Sequence, residues 1–299
     1  MPGRLLTGCG TALVTPFTPD GHVDEPALRE FVKWQVDSGV HFLVPCGTTG
    51  EAATLTPSEH RRVVEIAVEV AAGRIPVVAG AGSNDPARAI ATSKEMQAAG
   101  ATHLLHVSPM YNKPPQRGIV SHFRRIADAT DLPIVVYNVP GRTASNIEAR
   151  TTLELAKIPG IVGIKEASGN LAQIAEILRE RPADFAVLSG DDALTLPVMA
   201  LGGDGVVSVV SNATPRLMAQ LCETCAAGDL ATARALHRKL QPWMSAAFVE
   251  SNPIPVKAAL ALQGRMANSL RLPMVPLAET HLSTVYAALQ VADALPPDR

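Results

Sequence analysis

The sequence of 299 residues has few cysteines, few aromatic residues, no long apolar run and no excess of either charge. Its four cysteines are too few and too scattered for a disulfide framework, which favours a reducing cytoplasm. Cys222 and Cys225 form a CxxC, but no second CxxC or histidine pair completes a zinc site. His103 and His106 lie three apart on a predicted strand, so they cannot share a metal ion. We therefore expect no metal site.

The charge balance and the apolar runs exclude two further classes of protein. A formal net charge of -2, with basic residues scattered among acidic ones, provides no positive surface for nucleic acid. Residues 1–7 lack the apolar core of an export signal, and the most apolar later stretch, 194–213, is interrupted by proline, glycine and aspartate. We expect no nucleic-acid partner, no membrane span and a cytoplasmic location.

Short β-branched runs that alternate with helical patterns organise most of the chain. Eight strands are predicted, at residues 8–15, 42–46, 76–80, 102–108, 133–138, 160–165, 185–189 and 205–210. Because a GxGxxG fingerprint is absent, the eight βα units favour a (β/α)8 TIM barrel over a doubly wound sheet. We expect this α/β barrel to span residues 1–225. Residues 226–299, where only helical spacing remains, predict a C-terminal helical extension for packing or oligomer contacts.

Capping residues predict where several helices begin and end. Thr56 and Glu59 form a capping box, and the helix that follows is expected to stop at Gly73. Other helices are expected to begin at Asp24, Asp85 and Ser145. In the extension, about three helices are expected, divided by the prolines at positions 242, 253, 255, 273 and 276.

Lys165 is the most informative residue, because it ends a glycine-flanked apolar run, 160–164, that predicts a buried parallel strand. A lysine with the ordinary pKa of about 10.4 is protonated at neutral pH, whereas an apolar wall favours the neutral, nucleophilic amine. Such an amine can form a Schiff base with a keto acid. The alternative is a structural lysine at a strand end, paired with Glu166.

Polar residues follow several predicted strands at the end where a (β/α)8 barrel carries its chemistry. Thr48 and Thr49 follow strand 2 between glycines, where free backbone N–H groups can meet an anion. Tyr111 and Tyr137, two of the three tyrosines, lie at the ends of strands 4 and 5. Tyr137 is expected to point into the barrel and to relay protons to a substrate on Lys165. The alternative for either tyrosine is an amphipathic residue of the barrel rim.

Three further segments could complete a pocket. Arg142, on a Pro-Gly turn, presents a planar guanidinium suited to a carboxylate, although a loop arginine can equally be a solvated charge. Gly190 follows strand 7 and Val207 lies in strand 8, where backbone groups could line the pocket. Asp191 and Asp192 are adjacent and point differently, so we expect them to cap the next helix rather than act as a paired acid and base.

Five segments, in this order, resemble the dihydrodipicolinate synthase and N-acetylneuraminate lyase family: 46–51 (CGTTGE), 137–143 (YNVPGRT), 163–166 (GIKE), 189–192 (SGDD) and 252–257 (NPIPVK). The resemblance implies a metal-free, cofactor-free class I aldolase, usually a homotetramer, in which Lys165 binds pyruvate as a Schiff base. It implies a proton relay of Thr48 and Tyr137, completed by Tyr111 from a neighbouring subunit. It also implies that the pyruvate carboxylate binds Thr49 and that main-chain contacts come from Gly190 and Val207.

The glycine and arginine after YNVP are similar to the dihydrodipicolinate synthase branch, whose arginine binds the carboxylate of L-aspartate 4-semialdehyde. The resemblance therefore implies that Arg142 binds this aldehyde, which condenses with pyruvate to 4-hydroxy-tetrahydrodipicolinate in lysine and diaminopimelate biosynthesis. One alternative is another pyruvate aldolase of the family, acting on a sugar acid or a hydroxy-oxo acid. A second alternative is a non-catalytic barrel that binds or assembles with a partner.

Feedback inhibition by lysine is expected to be weak or absent. Lysine-inhibited members of the family tend to carry a histidine, a glutamate and an aromatic residue where this chain has Pro57, Arg88 and Met110. Arg88 would present a like charge to the ammonium group of lysine. Activity measured across a lysine titration checks this, and potent inhibition at micromolar lysine would contradict it.

Overall fold

Parallel β-strands form the centre of the computed structural model, which describes residues 6–296. The first five residues of the predicted barrel and the last three of the predicted extension lie outside the described residues. The strands are β1 Gly8–Ala12, β2 Phe42–Val44, β3 Val78–Gly80, β4 His103–Val107, β5 Ile134–Asn138, β6 Ile161–Glu166, β7 Ala186–Ser189 and β8 Gly205–Ser208. The eight predicted strands are confirmed, and most of them are shorter than predicted.

The strands pair side by side in the order β2-β1-β8-β7-β6-β5-β4-β3. A parallel bridge between Leu43 and Val77 brings the two ends of this sheet together, so the predicted (β/α)8 barrel is confirmed. Alternate residues of each strand face inward, as the period of two requires. In β5, for example, Val135 and Tyr137 belong to the apolar cluster inside the barrel, whereas Val136 packs in the outer cluster against the helices.

Helices alternate with the strands and continue beyond β8. Those described are α1 Glu25–Asp37, α2 Pro57–Ala71, α3 Pro86–Ala98, α4 Gln116–Ala127, α5 Pro140–Thr143, α6 Ala149–Leu155, α7 Leu171–Glu180, α8 Thr195–Ala200, α9 Pro215–Ala226, α10 Leu230–Ala246, α11 Ile254–Leu262 and α12 Glu279–Val291. No helix between residues 6 and 296 combines the length and hydrophobicity that a membrane crossing requires.

Most predicted helix starts are confirmed by side-chain caps. The capping box is complete, since Thr56 Oγ1 accepts from Glu59 N at 3.3 Å and Glu59 Oε2 accepts from Thr56 N at 2.9 Å. The carboxylates of Asp24 and Asp85 likewise accept backbone N–H groups at the starts of α1 and α3. These contacts satisfy N–H groups that have no partner within the helix.

Two helix predictions were wrong. Ser145 does not begin a helix, because it lies in a loop in which Thr143 Oγ1 donates to Ser145 O at 2.8 Å, and α6 begins only at Ala149. Pro242 does not divide the extension and lies inside α10. It is on the exposed side of that helix, where water can satisfy the carbonyl of Arg238 that a proline leaves without an N–H partner.

The helices of the extension pack directly onto the barrel. Trp243 of α10 is fully buried, and its Nε1 donates to Val210 O at 3.1 Å, just beyond β8. Gln263, which follows α11, donates from Nε2 to Ala213 O at 2.9 Å. The predicted boundary near residue 225 falls in the last turn of α9 and stays a prediction, since buried side chains continue across it.

Buried histidines on β4 give the fold a defined response to acid. His106 is fully buried and its Nε2 lies 3.2 Å from Ser93 Oγ, while His103 is 8% exposed. Burial lowers the pKa of His106 to about 3, with a smaller contribution from nearby His122, and burial lowers that of His103 to about 4. Both rings are therefore neutral in the folded protein at neutral pH and are packing residues.

We expect the free energy of unfolding to decrease as the pH falls below about 6.5. The unfolded chain takes up protons there first, because the folded-state pKa of His106 is depressed, and the loss reaches about 1.4 kcal/mol per pH unit for one such group. A His106→Gln variant is expected to show a flatter dependence in urea unfolding between about pH 7 and about pH 5. The exposed His22 provides the matched His22→Gln control. An unchanged slope in the His106 variant would contradict this assignment.

Candidate active site

Lys165 and Tyr137 face each other inside the barrel. They lie on the neighbouring strands β6 and β5 and are paired in register. Both side chains are buried, and Lys165 Nζ lies 4.1 Å from the centre of the Tyr137 ring. Tyr137 points into the barrel together with Val135, as predicted from their spacing. The amine is therefore held against an aromatic ring in a largely apolar setting.

Glu166 is not the partner of Lys165. Its carboxylate accepts hydrogen bonds from Asn138 Nδ2 at 3.0 Å, from Gln173 Nε2 at 2.8 Å and from Ser168 N at 2.6 Å. Adjacent residues of a strand point to opposite faces, so this carboxylate lies on the other side of β6 from the lysine. The interpretation of Lys165 as a structural lysine paired with Glu166 is therefore wrong.

A cavity of about 200 Å³ adjoins Lys165 at the end of the barrel where the strands finish. It is lined by Thr48, Thr49, Tyr137, Val139, Arg142, Lys165, Ala167, Gly190, Asp191, Val209, Phe248 and Asn252. Most of the predicted site residues are thus brought together around the lysine. Arg142, at the end of the short helix α5, is exposed to solvent and carries a guanidinium at the cavity wall. The cavity therefore has a buried amine and an accessible cation on its walls.

Two predicted site residues do not line this cavity. Val207 is 1% exposed and belongs to the apolar cluster inside the barrel, because β8 continues to Ser208. Val209, beyond the end of that strand, reaches the cavity instead. Tyr111 lies in the loop after β4 with a φ of 70°, and its side chain is 90% exposed.

Position 190 requires glycine, because its backbone lies close to the side chain of Lys165. A Cβ atom at this position would lie 2.6 Å from Ala167 Cβ and 3.1 Å from Lys165 Cε. Contacts of this length displace one of the neighbours, and the lysine side chain is one of them. The absence of a side chain at position 190 therefore leaves Lys165 the space that it occupies.

The threonine turn, defined here as Gly47–Glu51, connects β2 to the following helices. Gly50 N donates to Gly47 O and Glu51 N donates to Thr48 O, both at 3.1 Å. Thr48 is exposed at the cavity, whereas Thr49 is 3% exposed and its Oγ1 accepts a hydrogen bond from Asn252 Nδ2 at 2.8 Å. With the amide donating, the Thr49 hydroxyl proton stays free for another acceptor.

The two aspartates after β7 have different roles. Asp191 Oδ1 accepts from Ala193 N at 3.0 Å, so its predicted capping role is confirmed. Asp192 is not a cap: its buried Oδ2 accepts from Val209 N at 2.9 Å and from Val210 N at 3.2 Å. Burial raises the pKa of Asp192 to about 6. This carboxylate thereby fixes the loop that brings Val209 to the cavity.

Two cavity residues from the extension, Asn252 and Phe248, had no role in the sequence interpretation. Asn252 begins the NPIPVK segment, one of the five that resemble the family, but no function was assigned to this segment. That motif was the signal in the sequence that could have identified Asn252 as a site residue. Phe248 follows α10 and is 46% exposed, and the sequence contains no pattern that distinguishes it from a packing residue. Both residues line the cavity together with barrel residues that are far from them in the chain.

The sequence and the structure match known proteins over nearly their full length. A family model described as the dihydrodipicolinate synthetase family matches residues 5–292. The 4-hydroxy-tetrahydrodipicolinate synthase of Koribacter versatilis is 55% identical over 273 residues, which cover 91% of each chain. The solved dihydrodipicolinate synthase of Thermotoga maritima has a TM-score of 0.96 and 42% identity, covering 98% of this chain and 100% of that one. The chloride-inhibited enzyme of Acinetobacter baumannii, solved with pyruvate, has a TM-score of 0.95 and 40% identity, covering 97% and 99%.

Proposed function

The chain belongs to the dihydrodipicolinate synthetase family, and from this premise we propose that it condenses pyruvate with L-aspartate 4-semialdehyde to 4-hydroxy-tetrahydrodipicolinate. This is a lyase reaction of lysine and diaminopimelate biosynthesis. The observation that carries the proposal is Lys165, a buried amine that faces an aromatic ring and adjoins a cavity with a cationic wall. Because Glu166 is bonded elsewhere, pairing with this carboxylate does not explain a buried lysine at position 165.

Lys165 is proposed to attack the keto carbon of pyruvate, and loss of water then gives an imine. The protonated imine draws electrons from the bond to a methyl proton, and removal of that proton gives an enamine whose carbon adds to the aldehyde. The amine of the product then attacks the imine carbon, displaces Lys165 and closes the ring. Atoms balance with one water released, and the lysine is regenerated.

The residues around Lys165 support the proton transfers of this sequence. Tyr137 is beside the amine, and Thr48 lies on the same cavity wall, so both are proposed to move protons to and from the bound substrate. Thr49, whose hydroxyl proton is free, is proposed to bind the pyruvate carboxylate. Gly190 and Val207 are proposed to contribute main-chain contacts, although Val207 lies inside the barrel and Val209 is nearer to the cavity.

Arg142 supports the choice of the second substrate. A guanidinium on the cavity wall matches the carboxylate of aspartate semialdehyde, whereas a polyol chain requires neutral hydrogen-bond partners. Another pyruvate aldolase acting on a sugar acid is the competing function. Turnover on aspartate semialdehyde, compared with turnover on sialic acid and keto-deoxy sugar acids, distinguishes the two.

A homotetramer and a cytoplasmic location are part of the proposal. Tyr111 is 90% exposed and does not line the cavity of its own chain, which suits a residue that acts in the site of a neighbouring copy. The four cysteines are free thiols, as a reducing compartment favours. Analytical ultracentrifugation tests the oligomeric state.

Trapping with borohydride tests the chemistry directly. Reduction in the presence of pyruvate, followed by peptide mass spectrometry, is expected to place a stable adduct on Lys165. The buried Lys257 provides an internal comparison, since it is also a buried amine. An adduct on Lys257, or no adduct on Lys165, would overturn the proposed function.

A further inference from the structure

A buried ion pair connects the C-terminal extension to the threonine turn. Lys257 Nζ, from α11, lies 2.5 Å from Glu51 Oε1, and the two side chains are 0% and 3% exposed. Removal of two charges from water is so unfavourable that a buried pair contributes little net stability compared with apolar residues of the same size. The position of this pair beside the proposed pyruvate site therefore suggests a role other than stability.

Both charges of the pair have additional partners that fix them in place. Lys257 Nζ also donates to Ser269 O at 2.8 Å and lies 4.2 Å from the centre of the Phe17 ring. The second carboxylate oxygen of Glu51 accepts from Arg271 N at 3.1 Å. Burial lowers the pKa of Lys257 to about 8. Each oxygen of Glu51 is thus contacted by a different segment of the extension.

Arg271 is itself held by the loops around the turn. Its guanidinium donates to Thr54 O and Gly21 O, both at 2.8 Å, and pairs with the carboxylate of Glu59. The backbone N–H that contacts Glu51 therefore has a fixed position.

Glu51, whose side chain makes these contacts, has an unusual backbone conformation. Its φ of 53° and ψ of 35° lie in the left-handed region, which is unfavourable for residues other than glycine. This conformation ends the threonine turn, in which Glu51 N donates to Thr48 O. Contacts that hold the Glu51 side chain therefore also set the backbone next to Thr48 and Thr49.

The extension contacts the same turn at a second point. Asn252 donates to Thr49 Oγ1, and Asn252 and Lys257 lie at the two sides of the start of α11. A single segment of the extension thus binds a hydroxyl within the turn and a carboxylate at its end. This arrangement fixes both the position of Thr49 Oγ1 and the position of the Glu51 carboxylate at the end of the turn.

We propose that Lys257 and Glu51 are positioning residues for pyruvate, and that through this pair the C-terminal extension sets the conformation of the threonine turn. The inference rests on the proposed function, because it assigns the turn to binding of the pyruvate carboxylate. Neither residue touches the substrate; both act through Thr48 and Thr49.

The chain offers a matched ion pair that lacks this connection. Arg181 and Asp204 form a salt bridge with side chains that are 16% and 11% exposed. Asp204 Oδ2 also accepts from Val187 N at 2.7 Å. These residues precede β7 and β8, at the end of the barrel away from the cavity, where changes affect stability rather than catalysis.

The experiment compares Lys257→Met, Glu51→Gln, the double variant and Asp204→Asn in the full-length protein. The pyruvate concentration that gives half-maximal borohydride trapping on Lys165 is expected to rise at least about tenfold in both single variants. The KM for the aldehyde is expected to change less than about twofold. Asp204→Asn is expected to lower the urea midpoint and to leave pyruvate trapping unchanged.

The double variant separates positioning from stability. It removes both charges, so its stability is expected to recover relative to the single variants, whereas its requirement for pyruvate stays raised. If pyruvate trapping recovers together with stability, or if the Asp204 variant raises the pyruvate requirement equally, the inference is overturned. Glu51→Gln, which preserves size, carries the test should Lys257→Met not fold. If the unmodified protein forms no adduct, the proposed function itself is overturned. If the unmodified protein is trapped normally and the variants need no more pyruvate, only the present inference is overturned.

Discussion

A Lys165→Ala variant is expected to lose at least about a thousandfold of its turnover of pyruvate and aspartate semialdehyde. Alanine removes the nucleophile, so neither the imine nor the enamine can form. Lys165→Arg is expected to be equally inactive, because its guanidinium keeps the positive charge but stays protonated. Steady-state turnover and borohydride trapping measure the effect.

The comparison between the two Lys165 variants separates covalent chemistry from electrostatics. If the lysine served only as a positive charge against the Tyr137 ring, arginine would preserve much of the activity. Turnover of the arginine variant within about tenfold of the unmodified protein would therefore refute the Schiff-base mechanism. Circular dichroism of both variants checks that the barrel is intact.

Arg142→Ala is expected to lower kcat/KM for the aldehyde by about a hundredfold and to leave pyruvate trapping unchanged. The guanidinium is proposed to bind the carboxylate of the second substrate only, after the enamine has formed on Lys165. Arg142→Lys is expected to recover part of the loss, since it restores the charge without the planar pair of donors.

Arg150, an exposed arginine on α6 outside the cavity lining, provides the control Arg150→Ala. That variant is expected to keep both activities. Equal losses in pyruvate trapping and in aldehyde turnover for Arg142→Ala would place this residue at the first substrate and contradict the assignment. A gain of activity on sugar acids would support its role in selecting the substrate.

Local patterns predicted the strands and the lysine well, because buried parallel strands have near-continuous β-branched runs. The same reasoning could not identify partners that come from other strands. The alternative interpretation paired Lys165 with Glu166, its neighbour in sequence, yet the Glu166 carboxylate binds Asn138 and Gln173 on the opposite face of β6. Alternation along β6 separates the two neighbours, whereas the partners of Glu166 come from β5 and α7, whose packing against β6 the strand itself does not specify.

Other details of the site depend on contacts that local sequence patterns do not specify. The side chain of Val207 lies inside the barrel, and the main-chain contact expected from this residue stays a prediction. The contact between Asn252 and Thr49 joins residues 203 positions apart, and no periodic pattern connects them. The family resemblance placed the NPIPVK segment among the identifying motifs, while its contacts with the threonine turn required coordinates.

The same contact has a consequence for synthesis of the chain. When the last barrel strand, β8 Gly205–Ser208, has emerged from the ribosome, the segment that carries Asn252 is still to emerge. The nascent barrel can already bring β5 beside β6, and so Tyr137 beside Lys165, but the hydrogen bond to Thr49 waits until Asn252 has emerged. The cavity is thus completed only after β8 has been synthesised, when the segment that follows the barrel has packed against the threonine turn.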